Sequence, residues 1–310
     1  MVRTGTDLDG FAALLRPATA QVTVTGRGGP FAGHIVRMAL RDLWLQRAVA
    51  GSAWINYAAI SSGRLGILLG PERGPGAVWQ GEPLAATEIA VRNPGQDYCI
   101  AVPAGSRWEA MSLPIEMITR AFSVMMGGDP PSPNTSTVRT TPSAMARLRR
   151  LRDAADRLAE DAPEVAANAE AARGLEIMLT EAMIDCLAGS GVRDDRAAVR
   201  RHETIMRRLR TMLQETDEEG IFLPDLCASM GVSARTLRAC CHEYLGMGPQ
   251  RFLMLRRMHR TRRALQNAHP AATVTEIAMS FGFWELGRFA IEYRRLFGES
   301  PSVTLRRARR

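Results

Sequence analysis

Cys240-Cys241-His242 is the one place in the 310-residue sequence where thiols and an imidazole stand side by side. A zinc site or an activated nucleophile would need such groups. Adjacent residues on a helix point in different directions, however, and no CxxC pair or His pair at ligand spacing supplies further donors. Cys227 and Cys241 fall instead on core positions of a short amphipathic pattern. His34 is the only histidine before His202, too few for the clustered His-plus-carboxylate set of a metal-dependent β-barrel enzyme. All 40 Lys+Arg residues are arginine. That excludes a P-loop lysine, Schiff-base chemistry, the protein-kinase lysine and a Ser-Lys dyad. No catalytic residue, metal or cofactor is expected, and the chain is not expected to be an enzyme.

Arginine remains suited to forked recognition of guanine and phosphate, and its distribution is uneven. Gly220–Arg310 holds 15 Arg against 6 acidic residues, whereas residues 1–219 hold 25 Arg and 26 acids. The C-terminal segment therefore carries the whole formal net charge of +8, the electrostatic footprint of a nucleic-acid-binding domain.

Its patterning sharpens that expectation. Pro224 suits a first helical turn, with Leu226, Cys227 and Met230 at core spacing. Gly231-Val232-Ser233 makes a tight turn, and Ser233 caps a second helix through Tyr244. Leu237, Cys241 and Leu245 face inward there, and Arg235, Thr236, Arg238 and His242 face outward. Two short helices joined by a glycine turn, the second basic, form a helix-turn-helix. The arrangement recurs. Thr273 and Glu276 make a capping box, Ile277, Ala278 and Phe281 follow, and Gly282-Phe283 turns into a helix from about Glu285 to Phe297. Phe289, Tyr293 and Phe297 are inward; Arg288, Arg294 and Arg295 are left outside. Between the units Pro249–Asn267 reads as one arginine-dense helix, about 28 Å long. With helix widths added, it can set two recognition helices about one turn of B-DNA apart, ~34 Å.

Over residues 221–307 the sequence resembles the AraC/XylS family of bacterial transcription regulators. The carrying residues are Ile277-Ala278, Gly282-Phe283, Phe289, Tyr293-Arg294, Phe297-Gly298, Ser300-Pro301 and Leu305-Arg306, with Leu226, Gly231-Val232-Ser233, Leu237, Leu245-Gly246 and Pro249 from the first unit. Three positions depart from the pattern: Trp284 where a capping residue is usual, Gly287 inside the second helix, and Cys241 in place of a core aromatic. The resemblance implies a DNA-binding domain of two helix-turn-helices joined by a long helix, a cupin-like effector domain before it, and helices that commonly dimerise. Its implied partners are promoter or operator double-stranded DNA, a small-molecule effector, RNA polymerase and a second copy of the chain.

The elements upstream fit that layout. Ala32–Leu40, Ala53–Ile60, Leu65–Leu69, Glu88–Arg92, Tyr98–Val102 and Glu109–Leu113 read as short strands separated by Gly/Pro turns, within a β-rich stretch from Pro30 to Phe122. A sandwich or barrel follows. Gly127–Asn134 is the clearest linker. Beyond it lie three helical stripes: Leu148, Leu151, Ala155 and Leu158; Leu175, Met178, Leu179, Ala182, Met183 and Leu187; and Val199, His202, Met206, Leu209 and Leu213. The first is narrow, like a coiled-coil seam. The expected organisation is an α+β chain: a β-rich, cupin-like (jelly-roll or barrel) effector domain over 1–126, a linker over 127–141, a helical spacer or dimerisation region over 142–219, and an all-α double helix-turn-helix domain over 220–310. No apolar run reaches the ~18 residues of a membrane helix, no signal-peptide core opens the chain, and the five cysteines are odd in number and irregular in spacing. A cytoplasmic location without a membrane partner is expected.

Roles follow from position. Arg235, Arg238 and Arg288 are expected to read bases, with Leu286 against a thymine methyl. Thr236, His242, Arg294, Arg295 and Arg306 are expected on phosphates; for Arg294 and Arg295 a salt bridge to Glu292 or Glu299 is the competing assignment. Trp44, Trp54, Trp79, Tyr98 and Trp108 are the expected effector-pocket aromatics, with Glu82, Glu88, Glu109, Arg92 and Arg107 as candidates to orient a polar effector. Two other functional classes stay open at this point: a constitutive architectural DNA-binding protein without an effector, and a cupin-type enzyme fused to a DNA-binding domain.

Overall fold

Leu65, Ile67 and Leu69 face one way from their strand and Leu68 the other, and both sets are buried in separate apolar clusters. That strand belongs to a sheet covered on both faces, and the architecture is built around it. The computed structural model describes residues 2–5, 8–15, 21–26, 31–59, 62–72, 74, 76–128, 130, 137–162, 164–165, 168–189, 191–192, 197–215 and 223–309.

The first part of the chain runs β1 (Val2–Gly5), α1 (Leu8–Leu14), β2 (Gln21–Val24), β3 (Gly33–Ala39), β4 (Trp44–Ala50), β5 (Trp54–Ala59), β6 (Arg64–Leu69), β7 (Val78–Trp79), β8 (Glu82–Pro83), β9 (Glu88–Arg92), β10 (Asp97–Val102), β11 (Arg107–Pro114) and α2 (Ile115–Met126). Then come β12 (Thr137–Arg139), α3 (Pro142–Asp161), α4 (Ala169–Leu187), β13 (Gly191–Val192) and α5 (Ala197–Glu215). The C-terminal helices are α6 (Leu223–Met230), α7 (Ala234–Leu245), α8 (Pro249–Gln266), α9 (Val274–Ser280), α10 (Leu286–Phe297) and α11 (Pro301–Ala308).

The strands form two antiparallel sheets. The larger has the order β1-β3-β4-β11-β6-β9-β12-β13 and the smaller β2-β5-β10-β7-β8. One cluster fills the space between them, joining Ile35, Ala48, Leu68, Ala90 and Trp108 of the larger sheet to Trp54 and Ile100 of the smaller. The opposite face of the larger sheet presents Leu45, Ile67, Ile89, Val91, Met111 and Leu113 to α2, α3 and α4. The smaller sheet's outer face is covered by α5, α7 and α8, so the sandwich core continues into the C-terminal helices as one cluster. The layers are thus helices, sheet, sheet, helices.

Five details differ from the expectation. The β-rich stretch begins before Pro30, with β1 and β2, and ends earlier than Phe122, because Pro114 gives way to α2, whose Ile118 and Phe122 are buried under the larger sheet. Trp44–Ala50 is a strand, although its alternation is weak in a sheet buried on both sides. The expected linker ends in β12, which pairs with β9; residues 129 and 131–136 of that linker lie outside the described residues. The stripe of α3, expected either to pack as a spacer or to face a second copy, is covered by the protein's own sheet: Leu148 and Ala155 are buried there, with Leu151 and Leu158 packed beside them. Arg152 explains the fixed docking. It is fully buried in α3 and donates to the carbonyls of Ala110 and Gln46, at 2.8 and 3.1 Å. The third stripe splits from the others, as Met206, Leu209 and Leu213 of α5 join the cluster that includes the C-terminal helices. Val199 and the boundary residues 216–220 fall where no side-chain description applies or outside the described residues.

Candidate nucleic-acid interface and ligand cavity

The first helix-turn-helix folds as its residues dictate. Gly231 turns the chain at φ 64°, a left-handed value natural to glycine, and the Ser233 hydroxyl accepts the Thr236 N–H at 3.1 Å to cap α7. Leu226, Cys227, Met230, Leu237, Cys240, Cys241, Tyr244 and Leu245 are all buried. Burial pushes the Cys240 thiol to about 11 and the Cys241 thiol to about 12, so both stay protonated core residues while His242 points outward. Arg235, Arg238, Ala239 and His242 form the exposed row of the helix. Thr236 is half-buried, its hydroxyl 2.8 Å from Ser233 Oγ.

The second unit has the same plan with different chemistry. The Thr273–Glu276 capping box is complete: Thr273 N–H donates to Glu276 Oε2 at 2.8 Å and Glu276 N–H to Thr273 Oγ1 at 3.2 Å. The core of α10 is aromatic, Phe283, Phe289, Tyr293 and Phe297 packing in sequence through tilted and edge-to-face contacts with centroids 4.6–5.5 Å apart. The Tyr293 hydroxyl lies 2.9 Å from Thr304 Oγ1 of α11. The N-cap of α10 is Glu285, one residue beyond Trp284, and its side chain makes no capping bond. Arg288, Arg294, Arg295 and Arg306 are exposed. Arg288 lies 3.8 Å from the Glu285 carboxylate, and Arg295 pairs with Glu292 at 3.3 Å, the competing assignment for Arg295. Leu286 is half-buried and packs against the helical core; Trp284 and Ile291 are the large apolar side chains that α10 and its entry turn leave exposed. Sequence reasoning missed them, although Ile291 stands outside the Phe289/Tyr293/Phe297 core spacing.

The connecting helix α8 spends much of its charge inside the protein. Arg256 is buried and donates to the Leu213 carbonyl at 3.0 Å, Arg262 forks onto Asp9 at 2.8 and 3.0 Å, and Arg251 reaches the Thr25 carbonyl at 3.2 Å. Arg257 and Arg260 lie over the rings of Phe283 and Phe281. His259 Nε2 accepts the Val24 N–H at 3.0 Å, and burial together with Arg262 and Arg263 lowers its pKa to about 4. At Gly81, in the β7–β8 turn, an added Cβ would stand 2.5 Å from the Tyr244 ring; α7 rests directly on that hairpin. The C-terminal helices therefore dock on the smaller sheet while Arg235, Arg238, Arg288 and Arg294 remain exposed.

Between the sheets lies a half-open cavity of about 640 Å³ including its mouth. Trp44, Trp79, Tyr98 and Trp108 line it, with Arg37, Gln46 and Arg92 as its polar wall. Trp79 and Tyr98 stack at 5.2 Å, and the indole N–H groups of Trp79 and Trp108 are buried without a hydrogen-bond partner among the described residues. Trp54 is the exception among the expected aromatics. It is 1% exposed, wedged between Phe11 and Trp108, and belongs to the core. Of the charged candidates only Arg92 reaches the cavity: Glu109 is engaged by Arg107, and buried Glu88 lies 3.7 Å from Arg139. Glu82 sits in β8, outside the cavity lining. Arg92 and Tyr98 also line a second cavity, against α5 and Tyr244 of α7. There Glu203 of α5 lies 3.6 Å from Arg92 and accepts from Gln80 at 2.7 Å. His34 is exposed on β3.

A family profile described as a helix-turn-helix domain matches residues 226–307. Those residues form a helix-turn-helix domain of AraC/XylS type. The AraC/XylS-type segment is 40% identical over 95 residues to a probable thc operon regulatory protein of Rhodococcus erythropolis, covering 30% of this chain and 29% of that protein. It is 36% identical over 101 residues to a XylDLEGF operon transcriptional activator of Pseudomonas putida, covering 32% and 31%. These matches span under a third of either relative. Among solved structures the AraC-like transcriptional activator CuxR aligns with 90% of this chain and 100% of its own, at 15% identity and a TM-score of 0.45. Among the described residues no helix is long and apolar enough to cross a membrane.

Proposed function

We propose that this protein is a sequence-specific, DNA-binding transcription regulator controlled by a small molecule held between its two sheets. The observation that carries the DNA side is the exposed row Arg235, Arg238, Ala239 and His242 on a capped second helix of a helix-turn-helix. Arg235 and Arg238 read bases in one major-groove segment and Arg288 in the next, while Thr236, His242, Arg294, Arg295 and Arg306 hold phosphates and set register. Half-buried Leu286 has less surface to offer a base. Two units in one chain reduce the need for a second copy, and dimerisation remains part of the proposal only through surfaces other than the covered α3 seam.

The aromatic cavity supports the effector side. Its aromatic walls, with Arg37, Gln46 and Arg92 at its polar side, suit a small, largely apolar molecule carrying a hydrogen-bond acceptor. Such a ligand would compete with Glu203 for Arg92, loosen α5, and so alter the seat of α7. It can act only through its differential affinity for the two arrangements. Selection of duplexes from a randomised pool by the full chain tests the first half: an enriched motif supports it, and retention without enrichment rejects it. A small-molecule screen by thermal shift tests the second. A stabilising ligand whose shift disappears in Trp79→Ala supports it, and a library that never raises the melting temperature favours constitutive binding.

A further inference from the structure

We propose that Trp284 and Ile291 are sequence readers, through which the second recognition helix selects thymine by its C5 methyl group; this rests on the DNA-reading function proposed above. Trp284 is 72% exposed and Ile291 66% exposed. Ile291 lies on α10, three residues after Arg288 and four before Arg295, so these three share one helical row; Trp284 stands in the turn that leads into that helix. The core of α10 is complete without them, since Phe289, Tyr293 and Leu296 are buried on its other side.

Single exposed apolar side chains are ordinary on protein surfaces. Two on one recognition unit, Ile291 on the helix that a helix-turn-helix presents to the groove and Trp284 in the turn that enters it, call for an occupant. Its chemistry is set by the surroundings. Arg288, Arg294 and Arg295 of α10 and Arg306 of α11 are exposed, which suits a surface edged by phosphates. In the major groove thymine alone offers a methyl group. The nearest cation to the row's centre is partly neutralised, because the Glu285 carboxylate lies 3.8 Å from Arg288; the reading then falls more heavily on the apolar pair. Gly287 adds an independent sign. Gly287 is the second residue of α10 and an added Cβ there would meet nothing within 4 Å, so packing does not require the glycine. The bare backbone leaves room for another surface to approach it closely.

The test uses the full chain and a duplex that it selects from a randomised pool, with each thymine replaced in turn by uracil, which deletes only the methyl. Losing one buried methyl contact costs about fourfold in affinity. The expected result is at least one methyl-sensitive position in the segment read by α10, with that sensitivity abolished in Ile291→Ala or Trp284→Ala and kept in Arg238→Ala. Both apolar residues are exposed, so the variants should melt with the parent chain; melting curves check this. Specific binding that is indifferent to uracil throughout that segment, or equally sensitive in parent and variants, overturns the inference and leaves the DNA-binding function standing. Failure to select any duplex overturns both.

Discussion

The two helix-turn-helix units share a plan and differ in where their stability and chemistry come from. The first has a small core containing Cys227, Cys240 and Cys241, a side-chain cap from Ser233, and a seat on the β7–β8 hairpin through Tyr244. The second has no side-chain cap on α10 but packs four aromatic rings through tilted and edge-to-face contacts and closes them with α11. The outward faces differ as well: α7 exposes Arg235, Arg238 and His242 beside the small Ala239, whereas α10 sets Arg288, Arg294 and Arg295 beside the large apolar Ile291, with Trp284 exposed in the turn before it. A recognition helix can thus lean on its neighbour or on its own core, and its reading face is free to diverge.

The comparison can be broken at its strongest point first. Tyr293→Ala removes a buried ring from the second unit and should cost about 3–5 kcal/mol, read from the denaturant midpoint. The smaller core side chain Cys241→Ala in the first unit should cost less; equal losses would contradict the contrast. Next, Arg238→Ala should lose about 1–3 kcal/mol of preference at one base position, whereas Arg294→Ala should weaken binding to all sequences and lower the salt slope by about one. Even losses across a randomised library for both variants would erase the distinction between reading and positioning. Third, Ser233→Ala should cost about 1 kcal/mol, while Glu285→Ser, which supplies the missing cap, should raise the melting temperature.

A separate effect is the pH dependence of docking. The His259 imidazole has a pKa of about 4 in the folded chain against the usual 6.5, so the unfolded state takes up its proton first as pH falls. Stability is full above pH 6.5 and is lost progressively as pH falls toward 4, with no further loss from this group below that. His259→Gln, which cannot titrate, should flatten that part of the stability profile; an unchanged profile would remove His259 as its source.

Much of the C-terminal fold was legible because its signals are local. Ser233, the Thr273–Glu276 box, Gly231 and Gly282 mark helix ends by their own hydrogen bonds and backbone angles, and the structure places those ends within a residue or so. Four of five pocket aromatics also come together. What was not legible depends on distant partners. Trp54 resembles its neighbours in sequence, and only the packing of Phe11 against it removes it from the cavity. Arg256 and Arg262 count as basic charge in any tally, yet Leu213 and Asp9 consume them. Trp44–Ala50 lacks clean alternation because its sheet is covered on both faces. Ile291 was readable from helical spacing, but an apolar residue outside the core had no assigned use.

The central claim is that one chain places two recognition helices in successive major-groove segments of one DNA face. Chemical footprinting of the full chain on a selected duplex, base by base in the major groove, tests this most directly. Two protected patches centred about one helical turn apart are expected, the first weakened by Arg238→Ala and the second by Ile291→Ala. A single patch, or one patch that responds to both variants, would contradict it.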